Sequence, residues 1–139
     1  MVENYDKIKD VLALTMRLEN LCEGFDETNK TATLTSKIKI LLVLSKASRV
    51  TPSNLKQKIG LAKSNLAILC NKLIDEKLIT KTRDTFDTRE ITYSITEDGK
   101  KVLNLYLAKA QKNFEGQLAY KNNMKQVNES VKNLMELVK

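Results

Sequence analysis

No histidine occurs among the 139 residues. Its absence removes the commonest general base and the commonest metal ligand together. Cys22 and Cys70, the two cysteines, are too few for a disulfide scaffold or a four-ligand zinc site. One proline, four glycines and 5% aromatic residues argue against a many-turned β-sandwich and for a mostly helical chain. No apolar run approaches the roughly 20 residues that span a bilayer, and a start carrying Glu3 and Asp6 is unlike a signal peptide. There is no Gly-rich phosphate loop and no paired-carboxylate motif to support an enzyme. The expectation is a cytoplasmic protein in a reducing compartment, with no membrane partner, metal or cofactor.

What remains suffices for one ordinary domain over residues 1–139. At 42% hydrophobic and 29% charged, the chain can fill a core and is no disordered tail. Its net charge of +7 is unevenly spread. Residues 1–34 carry −3, residues 35–83 carry +9, residues 84–101 carry −2 and residues 102–139 carry +3. A basic block between acidic flanks suits a polyanion, because displaced counterions supply much of nucleic-acid affinity. The competing reading of such a block is a merely solvated face.

The hydrophobic period divides the chain. Residues 2–25 read as one amphipathic helix with Val11, Leu14, Leu18, Leu21 and Phe25 on one stripe, and the turn-rich stretch after Gly24 ends it. Thr35 caps a second helix through Ile38, Leu41, Leu42 and Leu44, ending near Ser48-Arg49. Thr51-Pro52 opens a short third helix that Gly60 closes. A fourth follows almost at once, with Leu66, Leu69, Cys70, Leu73 and Ile74 facing inward. Two helices joined by about three residues including a glycine form a helix-turn-helix. The period then shifts to two: Ile79, Lys81 and Arg83 form one strand and Ile91, Tyr93 and Ile95 another, around a polar tip at 84–89. Thr96 caps a fifth helix through Leu103, Leu107, Ala110 and Phe114, and a sixth runs through Tyr120, Met124, Val127, Val131, Leu134 and Val138. There are no internal repeats and no low-complexity linker.

The order is four helices, two strands and two helices: a mainly α fold, a winged helix-turn-helix with a small β-hairpin wing. Residues 35–100 form that unit, and residues 1–33 and 101–139 are long flanking helices. Val11, Leu14 and Leu18, with Met124, Val127, Val131 and Leu134, would be left as sticky stripes on a lone chain. They read as a homodimer interface; the alternative is that they cover one another within one chain.

From Thr51 to Gly99 the chain resembles, without a gap, the MarR (multiple-antibiotic-resistance regulator) family of bacterial transcription factors. Asp87-Thr88-Arg89 at the wing tip matches that family's Asp-x-Arg signature, and Ile95-Thr96-Glu97-Asp98-Gly99 its Leu-Thr-x-x-Gly. The flanking helices match in layout only. Three positions depart from the pattern. Lys77 stands where a glycine is usual, so a differently built turn is expected there. Ala62 stands where a capping side chain is usual. Ile68 occupies an outward position where polar or basic residues are common.

The resemblance implies a homodimeric, DNA-binding transcriptional regulator acting on a pseudo-palindromic operator, relieved or tuned by a small-molecule effector held near the first, second and fifth helices. The fourth helix becomes the recognition helix, with Lys63, Ser64, Asn65, Ala67, Ile68, Asn71 and Lys72 facing double-stranded DNA. Asn65 is suited to adenine and Ser64 to base or phosphate; Ala67 or Ile68 is suited to a thymine methyl. Lys63 and Lys72 are suited to phosphates. Arg83 and Arg89 flank the wing, with Arg89 in the minor groove and Asp87 orienting it. Some relatives sense organic peroxides through a cysteine in the first helix. Here Cys22 lies near that helix's end beside Glu19, Glu23 and Asp26, which disfavour a thiolate, so both thiols read as structural. The second functional reading is a winged-helix protein–protein module with no DNA partner.

Overall fold

The computed structural model describes residues 4–24, 34–83, 90–117 and 120–138. Among them run α1 (Asp6–Leu21), α2 (Ser36–Ser45), α3 (Pro52–Ile59), α4 (Lys63–Asp75), β1 (Ile79–Arg83), β2 (Ile91–Ile95), α5 (Glu97–Gln117) and α6 (Tyr120–Leu137). The mainly helical winged-helix order is the one read from the sequence. Phe25, Phe86, Asp87 and Arg89 lie outside the described residues.

Most starts follow from local chemistry. The Thr35 hydroxyl accepts the Ile38 N–H at 3.4 Å, and the Thr51 hydroxyl accepts the Asn54 N–H at 3.3 Å. Pro52 sits in the first turn of α3, where its missing N–H costs nothing. Gly60 closes α3 at φ +75°, donating its N–H to the Lys56 carbonyl at 2.8 Å. Ala62, which has no side-chain acceptor, leaves the first turn of α4 without a side-chain cap.

Several boundaries differ from expectation, each for a tertiary reason. Helix α1 covers Asp6–Leu21 rather than 2–25. Beyond it the chain bends onto α5. The Tyr106 hydroxyl donates to the Cys22 carbonyl at 2.6 Å, and Asn113 Nδ2 donates to the Glu23 carbonyl at 2.8 Å. Gly24 is buried against the Tyr106 ring, and a Cβ there would overlap it. Helix α2 stops at Ser45, short of Ser48-Arg49, because the chain turns to lay Val50 beside β2. Val50 and Tyr93 exchange two backbone hydrogen bonds, at 3.0 and 2.8 Å, and the Ser94 hydroxyl donates to the Ser48 carbonyl at 2.7 Å. This third, one-residue rung of the wing has no signature in the sequence.

The turn after α4 corrects another expectation. It is the left-handed turn a glycine usually makes, built with a lysine: Lys77 sits at φ +63°. Its N–H donates to the Ile74 carbonyl at 2.9 Å, and that of Leu78 to the Leu73 carbonyl at 3.0 Å. These are the two bonds of a Schellman ending, with Leu73 and Leu78 buried beside it.

Strands β1 and β2 pair antiparallel in the register Ile79↔Ile95, Lys81↔Tyr93 and Arg83↔Ile91. Below them the core gathers Ile38, Ile40, Leu41 and Leu44 of α2, Leu55 of α3, Leu66, Cys70 and Leu73 of α4, Ile79, Tyr93, and Leu103 and Tyr106 of α5. Tyr106, not Leu107, completes the inner stripe of α5; Leu107 is 40% exposed.

Candidate nucleic-acid interface

Helix α4 is anchored by its buried face. Leu66, Cys70 and Leu73 are at most 2% exposed, while Leu69 and Ile74 are half-buried at its margins. At 3.6 residues per turn, this fixes which side chains face away. Lys63, Ser64, Asn65, Ala67, Ile68, Asn71 and Lys72 are all exposed, as expected for the outward face. Cys70 is fully buried in the core that α4 shares with Tyr93 of β2. Its thiol is free and shielded from solvent. Burial pushes this thiol up to about 11, with the nearby Tyr93 side chain opposing only in part. Partial desolvation also raises the Cys22 thiol, away from the reactive thiolate.

The wing stands beside α4 and leaves a cleft between them. A cavity of about 210 Å³ is lined by Pro52 of α3, Lys63, Leu66, Ala67 and Asn71 of α4, and Lys81, Ile91 and Tyr93 of the wing. A shallower hollow of about 420 Å³ continues past Thr51, Ser53, Lys63, Glu90 and Ile91. Lys63 borders both. Arg83 ends β1 and is exposed, opposite Ile91 at the last described rung of the hairpin. The structure thus brings Lys63, Ala67 and Asn71 together with the wing, and leaves Ser64, Asn65, Ile68 and Lys72 on the outer surface of α4.

Two residues in this cleft were not singled out by the sequence. Lys81 lies two rungs before Arg83 on β1, on the strand face it shares with buried Ile79 and opposite Tyr93, which turns it toward α4. Its signal was present in the strand period. Glu90 places a carboxylate against the Lys63 side of the cleft. Nothing in its sequence context distinguishes it from an ordinary loop acid.

The two halves of the Ile-Thr-Glu-Asp-Gly motif have structural work. Thr96 Oγ1 accepts the Gly99 N–H at 3.0 Å and caps α5. Its own hydrogen is shared between the Lys77 and Leu78 carbonyls, at 2.7 and 2.9 Å. A Cβ at Gly99 would run into the Leu78 carbonyl. The motif therefore docks α5 on the turn that ends α4, which fixes α4 relative to α5.

Residues 25–106 match the transcriptional regulator SarA/Rot family. The chain belongs to that family. It is a transcriptional regulator and not an enzyme, and its fold is the MarR-type winged helix. Comparison with curated protein sequences finds no match. The wild-type MarR of Escherichia coli in its apo form is similar at TM-score 0.72 and 15% identity, with 100% of each chain covered. A mutant of the same protein, solved with operator DNA, gives TM-score 0.71 at 14% identity, over 99% of this chain and 100% of that one. Bordetella bronchiseptica BpsR, whose DNA binding is regulated by 6-hydroxynicotinic acid, gives 0.62 at 14% identity, over 91% of this chain and 99% of that one.

On the flanking helices, Val11, Leu14, Leu18, Met124, Val131 and Leu134 are each 40–51% exposed, and Val127 is half-buried. No residue of α1 is buried. Among the described residues no helix is long and apolar enough to cross a membrane, and no group of acidic or cysteine side chains is placed to hold a metal ion.

Proposed function

We propose that this SarA/Rot regulator binds double-stranded DNA as a homodimer, one α4 in each half of a pseudo-palindromic operator. The observation that carries the reading is the outward face of α4, exposed in full and flanked by Lys81 and Arg83 of the wing. Lys63 and Lys72 neutralise phosphates, and Asn65 and Asn71 present amides that suit adenine edges. Arg89 reaches the adjoining minor groove from the wing tip, and Asp87 orients its guanidinium. The operator complex of the similar Escherichia coli MarR supports this reading by fold.

The exposed apolar stripes of α1 and α6 supply the dimer contact. On a lone chain they would leave more apolar surface in water than a soluble monomer usually carries. A small-molecule effector tunes the affinity, as 6-hydroxynicotinic acid does for BpsR. The place of action is the cytoplasm.

An electrophoretic shift on genomic fragments, run at low and high salt, tests the proposal. Retarded bands that fade steeply as salt rises are expected, because each neutralised phosphate releases counterions. No shift at low salt would end the DNA reading and favour a winged-helix module that binds protein.

A further inference from the structure

We infer that Ile68 selects a C5-methyl pyrimidine at the centre of the base-reading surface, an inference that rests on the DNA-binding reading above. The buried face of α4 is set by Leu66, Cys70 and Leu73. At 3.6 residues per turn the direction opposite their midpoint falls between Ser64 and Ile68. Ile68 therefore projects nearly straight away from the core, and it is 69% exposed. Its neighbours on that surface are Ser64, Asn65, Asn71 and Lys72, all polar and all exposed.

Ala67, the other small apolar residue of the helix surface, is placed differently. It lines the cleft toward the wing, with Lys63, Asn71 and Lys81. The apolar contact at the middle of the reading face belongs to Ile68 alone among the described residues of α4.

An isoleucine pressed against a base edge neither donates nor accepts a hydrogen bond. Any amino group, carbonyl or ring nitrogen facing it would lose water without gaining a partner. The thymine C5-methyl is the apolar feature of the major-groove edges, so it alone gains from that contact. Discrimination at this step comes from the penalty on polar edges as much as from the methyl contact.

Selection of the tightest duplex from a random-sequence pool, using the full chain, supplies the probe. Each thymine of that duplex is then replaced in turn by deoxyuridine, which removes one methyl and keeps every hydrogen-bonding group. One thymine in each half-site should weaken binding about fourfold, the effect expected from losing one buried methyl. Restoring the methyl on 5-methylcytosine, paired with guanine, should recover affinity relative to unmethylated cytosine there.

Ile68→Ala, an exposed substitution checked for fold by circular dichroism, should bind thymine and deoxyuridine duplexes alike at that step. Ile68→Asn should shift the preferred base toward adenine in a repeated selection. Native protein indifferent to every deoxyuridine, or an Ile68→Ala protein that keeps the native sensitivity, would overturn the inference and leave DNA binding standing. Failure to enrich any duplex would overturn the DNA-binding reading, and this one with it.

Discussion

Lys77 and Cys70 show how single side chains trade stability against position. Lys77 holds φ +63°, a region that costs an L-residue about 1–2 kcal/mol. Glycine at this site would be free of that cost, though it gains entropy in the unfolded chain. Lys77→Gly is therefore expected to raise stability by about 0.5–1 kcal/mol, read as a higher urea midpoint with an unchanged slope. Cys70 acts through its proton. The fold holds the thiol up to about 11 against an ordinary 9.0, so the unfolded chain gives up its proton first. Stability is full below the lower value and falls as pH rises through the window between the two. Burial raises Tyr93 as well, which pushes in the same direction. Urea midpoints at about pH 8 and about pH 10 should show the fall, and Cys70→Ser should flatten it.

At the level of elements, the periodicities of 3.6 and 2 were enough to place all six helices and both strands described, and to choose the outward face of α4. Their ends were less legible, because tertiary contacts set them. The end of α1 is decided by Tyr106 and Asn113, more than eighty residues away. The end of α2 is decided by the bridge from Val50 to Tyr93. The lysine turn after α4 defeated a rule about residue type, since buried Leu73 and Leu78 hold the left-handed conformation without glycine. Lys81 was readable from alternation, whereas the place of Glu90 in the cleft depends on how the hairpin leans toward α4. The junction between α4, the wing and α5 converges on Thr96 and Gly99. Gly99→Ala would press a methyl against the Leu78 carbonyl, and backbone there has little freedom to yield. A loss of about 1–3 kcal/mol is expected in thermal or urea unfolding. An unchanged midpoint would mean that α5 can lift from the turn without cost.

The whole molecule divides into a packed winged helix and two helices, α1 and α6, whose apolar side chains remain in water on the single chain. If these stripes join two copies, sedimentation should give a dimer at micromolar concentration. Removal of residues 120–139 should then leave α1 uncovered and the protein prone to aggregate. A well-behaved full-length monomer would contradict both the dimer and the two-fold operator. The central claim, that the outward face of α4 reads DNA, is tested most directly by equilibrium titration of Lys63→Ala and Asn65→Ala on a selected operator and on random duplex. Lys63→Ala should weaken both DNAs about equally and reduce the salt slope by roughly one charge. Asn65→Ala should cost about 1–3 kcal/mol on the operator and much less on random duplex. Two variants that lose the same affinity on both DNAs would contradict base reading by this face.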